Sequence, residues 1–212
     1  QADFSVYKNW SLQLKRFAKT YEDRIINSVY FDCVDYSSAY DNLIGIGDRS
    51  KFRIRWYGQN TDTQCYAEIK TRSGRTGNKF VVPTNQTFED ITIENAFLLN
   101  SPWFKNNKQS SFFSLISSKY LMPVVYVKYK RSYYLFENFI RLTFDHNPNY
   151  RLFSNKKTKE TWSKDDLCVL EIKFDSKYLT KARSFISNLP FIPKRHSKYL
   201  RSLAHCNKAI YI

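Results

Sequence analysis

The chain has 212 residues and a mass of 25.3 kDa, with 34 Lys and Arg against 19 Asp and Glu, a formal net charge of +15. Aromatic residues make up 17% beside only 5 glycines and 6 prolines, which excludes collagen-like and low-complexity disordered chains, and the length suits one domain with a real core. The longest apolar run, Leu121 to Val127, is broken by Pro123 and falls far short of the roughly 18 residues of a membrane span.

Taken in chain order, Trp10, Leu14, Phe17 and Tyr21 recur at helical spacing and predict an amphipathic helix over 9–21. Residues 25–32 read as a strand and 36–44 as a short helix. A series of strand-like runs follows at 51–58, 63–72, 79–83, 124–135, 139–145 and 167–174. Helical segments are expected at 86–100 and 109–120, and again at 179–189 and 195–206. Sequential strands on short connections predict an α+β class: an antiparallel β-sheet or barrel with helices packed outside. The chain opens on Gln1 and Met122 is its only methionine, as in a processed or trimmed chain. No basic start followed by an apolar stretch marks a signal peptide, so a cytoplasmic setting is expected. Cys33, Cys65, Cys168 and Cys206 have no metal-site spacing and read as buried free thiols in a reducing compartment.

The charge calls for an anionic partner: nucleic acid, a membrane surface or a phosphorylated molecule. Strand periodicity shows where it sits. Alternate side chains share a face. In 51–58, Phe52, Ile54 and Trp56 oppose Arg53, Arg55 and Tyr57. In 64–72, Cys65, Ala67 and Ile69 oppose Tyr66, Glu68, Lys70 and Arg72. In 139–145, Ile140, Leu142 and Phe144 oppose Arg141, Thr143 and Asp145, and in 167–174, Leu170, Ile172 and Phe174 oppose Val169, Glu171 and Lys173. In 123–135 the pattern is less clean, since Val125, Val127 and Tyr129 share a face with Arg131. Two readings stay open. The polar faces belong to a sheet with one wet side. Alternatively, they point into a closed barrel and line a basic tunnel that an anion must fill, because buried charge without a counter-charge is expensive.

A set of short motifs joins these strands. They are S-V-Y-F-D at 28–32, D-N-L-I-G at 41–45, R-S-K-F-R-I-R-W-Y-G at 49–58 and A-E-I-K-T-R-S-G-R-T-G-N-K at 67–79. Further along come P-V-V-Y-V-K-Y-K-R-S-Y-Y at 123–134, I-R-L-T-F-D at 140–145, V-L-E-I-K-F at 169–174 and H-S-K-Y at 196–199. Each is short; their order and spacing resemble the VTC domain, the polyphosphate polymerase domain of the vacuolar transporter chaperone, within the triphosphate tunnel metalloenzyme (CYTH-like) fold. The resemblance implies an eight-stranded antiparallel tunnel whose basic side chains hold a nucleotide triphosphate and the growing chain.

Carried over by position, the resemblance gives Arg53 and Arg55 from the R-x-R strand, and Lys70 and Lys79 from the E-x-K strand and the turn after it. It gives Arg131 from Y-K-R, Arg141 from I-R-L-T-F-D, and Arg195, Ser197 and Lys198 from R-H-S-K-Y, all as phosphate-binding groups. Of these, Arg53, Arg55, Lys70, Arg131 and Lys198 are the expected catalytic set. Glu171 is the expected ligand of a divalent metal, Mn²⁺ or Mg²⁺, with Glu68 the second candidate. Lys173 shares the face of Glu171; Asp145, ending its strand, reads equally as a turn or capping residue. His146, His196 and His205 read as structural, only His196 lying beside a motif. The family's first strand usually begins E-x-K-[YF], which QADFSVYKNW does not carry; that strand is either missing at the N-terminus or diverged, and Lys8 is a poor substitute.

The implied function is ATP-dependent synthesis of inorganic polyphosphate. The alternatives are a metal-dependent triphosphatase or polyphosphatase, and a non-catalytic polyphosphate-binding module. Expected partners are ATP and polyphosphate, with a membrane-protein partner allowed. Nucleic acid is not expected, although Y-V-K-Y-K-R-S-Y-Y interleaves basic and aromatic residues as a stacking platform would. G-I-G-D-R-S at 45–50 lacks the third glycine and the strand–helix setting of a dinucleotide fingerprint.

Overall fold

The computed structural model describes residues 17–74, 76–84, 87–88, 120–153, 161–190, 192 and 194–207. Its elements run β1 (Ala18–Asp32), α1 (Ser37–Ile44), β2 (Arg49–Tyr57), β3 (Tyr66–Ser73), β4 (Thr76–Pro83), β5 (Met122–Phe136) and β6 (Ile140–Leu152). Then come β7 (Ser163–Lys164), β8 (Val169–Lys173), a 3₁₀ turn at Ser176–Tyr178, α2 (Leu179–Ser187) and α3 (Lys198–His205). The strands form one sheet in the order β4-β3-β2-β1-β5-β6-β7, with β8 also paired to β6. The class is α+β, an antiparallel sheet with helices, as the strand series suggested.

Four expectations need correction. Residues 18–21, read as the end of a helix, are strand: β1 starts at Ala18. Its first half is exposed and polar, so no apolar alternation marked it, while Phe17 and Tyr21 happened to fall at helical spacing. Residues 63–65 of the third expected strand lie outside β3, which begins at Tyr66. The strand expected to stop at Asp145 continues to Leu152, so Asp145 is neither a turn nor a cap. The two-residue β7 was not foreseen. Residues 9–16, Lys8, and the helices expected at 86–100 and 109–120, apart from 87–88 and 120, lie outside the described residues.

Local chemistry accounts for the joints. Glu137 and Asn138 both adopt left-handed backbone (φ 47° and 61°) between β5 and β6, the two-residue turn whose twist matches a hairpin. Gly45 closes α1 with φ 80°; its N–H and that of Ile46 both donate to the Asp41 carbonyl, which ends the helix at D-N-L-I-G. The start of α1 is held from a distance. Buried Asp32, the last residue of β1, accepts from the backbone N–H groups of Ser38 and Ala39 at 2.9 Å each and from Cys33 at 2.8 Å. It also accepts from the Tyr199 hydroxyl of α3 at 2.7 Å.

That last bond sets a test. Tyr199→Phe keeps the ring and its stacking on Tyr30, whose centroid lies 5.2 Å away, and deletes one bond to a buried carboxylate. The variant is expected to lose about 1.5–3 kcal/mol in denaturant unfolding; a change under about 0.5 kcal/mol would mean that Asp32 does not need this donor.

The chain divides into two compact units. One comprises 1–26, 128–149 and 164–197; the other comprises 27–127, 150–163 and 198–212. The first packs Ile140, Leu142, Phe144, Cys168, Leu170 and Ala182, with Phe17, Phe136 and Phe185 in mutual edge or tilted contact. The second packs Val29, Phe31, Phe52, Ile54, Trp56, Ala67 and Ile69, with Tyr126, Phe88 and Trp162 around the Trp56 end. Both cores are thus the apolar halves of the alternating strands. Cys65 and Cys168 are buried and all four cysteines are free thiols, though Cys33 and Cys206 are only partly buried.

Candidate functional site

In the second unit, the side chains opposite the core form an ionic cluster. Arg53 on β2 faces Glu68 on β3 in the strand register. Its Nε and Nη2 lie 2.7 Å and 2.5 Å from Glu68 Oε2, and its Nη1 donates to the Tyr30 hydroxyl of β1 at 3.0 Å. Lys79 on β4 reaches Glu68 Oε1 at 3.0 Å. Arg55 lies 3.7 Å from Glu68 Oε2 and donates from Nε to Ser28 Oγ at 3.1 Å. Three cations therefore converge on one carboxylate. Arg55 is 5% exposed and Glu68 3%, so this part of the face is enclosed and not a wet sheet surface.

The electrostatics report an excess of positive charge. Burial alone would raise the Glu68 carboxyl, yet Arg53, Arg55 and Lys79 lower it to about 2. Burial would likewise raise the Tyr30 phenol, but Arg53, Arg55 and Lys198 outweigh it and hold the phenol below its ordinary value. Lys198, the first residue of α3, thereby acts on the same cluster. For Lys79, burial lowers the ammonium against the pull of Glu68. Lys70 is exposed on β3, opposite Lys51 on β2 and Lys79 on β4.

In the first unit, Arg131 forms a two-pronged pair with Asp145: Nε to Oδ1 at 2.5 Å and Nη2 to Oδ2 at 2.8 Å. Burial disfavours the guanidinium charge, but the bond to Asp145, with Tyr129 and Glu171, more than restores it. Glu171 on β8 stands opposite Thr143 of β6. Its oxygens lie 3.2 Å from Lys173 Nζ, 3.9 Å from Arg131 Nη2 and 3.5 Å from Thr143 Oγ1, and its side chain is 43% exposed. Arg141 is exposed and registers with Lys173. Arg195 is exposed and Ser197 partly buried in the segment before α3.

The sequence-expected residues thus fall into two groups. Arg53, Arg55, Glu68, Lys70, Lys79 and Lys198 belong to the second unit; Arg131, Arg141, Asp145, Glu171, Lys173, Arg195 and Ser197 belong to the first. His146 is buried 3.4 Å from Ser132 Oγ, with its ring pKa lowered by burial and then by Lys130. His205 sits 3.5 Å from Ser163 Oγ, and His196 is partly buried. Sequence reasoning passed over Lys51, Ser28 and Tyr30. The signal was present, since Lys51 continues the alternate set of Arg53 and Arg55, and Ser28 and Tyr30 alternate with core residues Val29 and Phe31.

The antiparallel strand order is that of the triphosphate tunnel fold, which solved structures share. A candidate adenylate cyclase structure from Bacillus halodurans superposes with a TM-score of 0.56 at 14% identity, covering 93% of this chain and 90% of its own. A candidate adenylyl cyclase from Hippeastrum, described as having a dominant triphosphatase activity, gives 0.53 at 12% identity, with 93% and 90% covered. The VTC domain model matches residues 3–207, and the chain belongs to that family. No curated protein sequence matches it significantly.

The family and the fold imply a divalent metal. Among the described residues no three His, Cys, Asp or Glu side chains come together. A hard cation held mainly by substrate phosphates needs only one or two protein carboxylates. The half-exposed Glu171 carboxylate fits that requirement. No helix among the described residues is long and apolar enough to cross a membrane.

Proposed function

We propose that this chain is a polyphosphate polymerase that moves the terminal phosphoryl group of ATP onto a growing polyphosphate chain. The observation that supports it best is the convergence of Arg53, Arg55 and Lys79 on Glu68 in an enclosed position, where a net positive cluster favours a polyanion. Membership of the VTC family supports the same substrate class. In the reaction, an oxygen of the chain's terminal phosphate bonds to the γ-phosphorus. The bond between that phosphorus and the β–γ bridging oxygen breaks, and ADP leaves.

Such a transfer needs positioning and charge stabilisation more than covalent help. The attacking oxygen is already anionic, so no side chain has to remove a proton. Arg53 and Arg55 offer planar donors that match phosphate oxygens. Lys70 and Lys79 add compact charge to the same face, and Lys198 acts on the same cluster. Within the first unit, Arg131, Arg141, Arg195 and Ser197 are candidate phosphate donors in their own right. Asp145 fixes the Arg131 fork. Glu171 would hold Mg²⁺ or Mn²⁺, which supplies charge neutralisation across phosphate oxygens. Glu68 is the weaker candidate ligand, because Arg53, Arg55 and Lys79 already take its oxygens.

The purified chain with ATP and Mn²⁺ or Mg²⁺ is expected to give chain-length ladders on a polyacrylamide gel, and chelation to abolish them. Free phosphate without ladders would make the chain a hydrolase. Retained polyphosphate binding with neither product would make it a binding module. Retention of DNA in preference to polyphosphate would overturn the reading of the charge.

A further inference from the structure

β2, β3 and β4 carry their polar side chains in rows across the strands. One row sets Lys51 beside Lys70 and Lys70 beside Lys79; on one side of it Arg49 faces Arg72, and on the other Arg53 faces Glu68. Directly opposed like charges destabilise a sheet. A polyanion laid along this row of three lysines would relieve that repulsion. Same-face residues advance about 6.6–6.8 Å per step along a strand, so Arg49, Lys51, Arg53 and Arg55 mark out a track of about 20 Å, several phosphates long.

We propose that Lys51 binds substrate, forming with Lys70 and Lys79 a lysine row that holds chain phosphates next to those gripped by Arg53 and Arg55. The inference rests on the polyphosphate reading and adds to it a grip on length. A triphosphate fills the arginine end, and only a longer chain also occupies the lysine row.

The surroundings of Lys51 agree. Burial first, then Arg49, Lys70 and Arg53, lower its ammonium to about 7. The charged groups around it include Arg49 and Arg53 on β2 and Lys70 on β3, with Arg72, the cation-bound Glu68 and Lys79 at adjoining register positions. On β1, the Asp32 carboxylate is taken up by three backbone N–H groups and Tyr199. A phosphate arriving beside Lys51 restores its charge, so binding above neutral pH draws a proton from solution.

Calorimetry with long-chain polyphosphate and with tripolyphosphate, at pH 8 in buffers of different ionisation enthalpy, tests this. Lys51→Met is expected to weaken long-chain binding about tenfold, to lower the salt slope of affinity by close to one, and to change tripolyphosphate binding far less. Lys51→Arg should keep the affinity and lose the proton uptake, since arginine stays charged. That readout holds even if the methionine variant folds poorly. Lys177→Met, on the exposed 3₁₀ turn, should stay within twofold. If wild-type protein binds no phosphate chain, the proposed function falls. If it binds, and Lys51→Met matches it in affinity and proton uptake, the lysine row alone is refuted.

Discussion

Arg53→Ala is expected to lower ladder formation from ATP by about 100–1,000-fold, the range for losing one preorganised donor to a charged transition state. Arg53 is the side chain for which this effect should be largest. Its guanidinium is fixed on two sides, by Glu68 and by Tyr30 Oη, while the side chain keeps 22% exposure toward incoming phosphate. Arg55 is almost wholly enclosed and donates to Ser28, so it is placed less directly. Arg53→Lys should recover only part of the rate, because an ammonium cannot span Glu68, Tyr30 and a phosphate together. The variant must retain the wild-type unfolding midpoint within a few degrees for the rate to be read as chemistry. Ladders within threefold of wild type from a folded Arg53→Ala protein would remove Arg53 from the catalytic set.

The sheet was legible because its strands obey period two with few exceptions. Phe52, Ile54 and Trp56 alternate with Lys51, Arg53 and Arg55, and one face of that pattern had to be core. The motif at 41–45 was equally readable, since Gly45 is where left-handed backbone ends α1. What stayed hidden has physical reasons. β1 begins in a polar, exposed stretch whose pairing is made by backbone groups, and backbone pairing leaves no residue-type signature. β6 runs on through Asp145, Asn147 and Pro148, residue types that normally announce a turn. Asp145 is accommodated there because its carboxylate is consumed by Arg131 across the strand pair, a long-range partner that spacing along the chain cannot reveal. Partner choice among charges was the least readable feature. Glu68 and Glu171 look alike in E-I-K, yet one is sealed under three cations and the other half open beside Lys173.

That difference carries a second large effect. Glu68→Gln keeps the shape of the side chain and removes the charge on which Arg53, Arg55 and Lys79 converge. Breaking a buried ionic cluster by deleting one partner leaves the others uncompensated and is expected to cost about 3–5 kcal/mol. The pH dependence distinguishes this from a packing defect. Glu68 has a folded-state value of about 2 against an ordinary 4.5, so its stabilisation is complete above 4.5 and is lost as pH falls from there toward 2. Wild-type stability should therefore drop through that window more steeply than that of Glu68→Gln, the two curves converging at the acid end. Tripolyphosphate should raise the unfolding midpoint of the variant more than that of wild type, because Glu68 occupies with its own oxygens a position the ligand's oxygens can fill. Parallel acid limbs for the two proteins, or an equal ligand-induced shift, would show that Glu68 is not the internal counter-ion of this face.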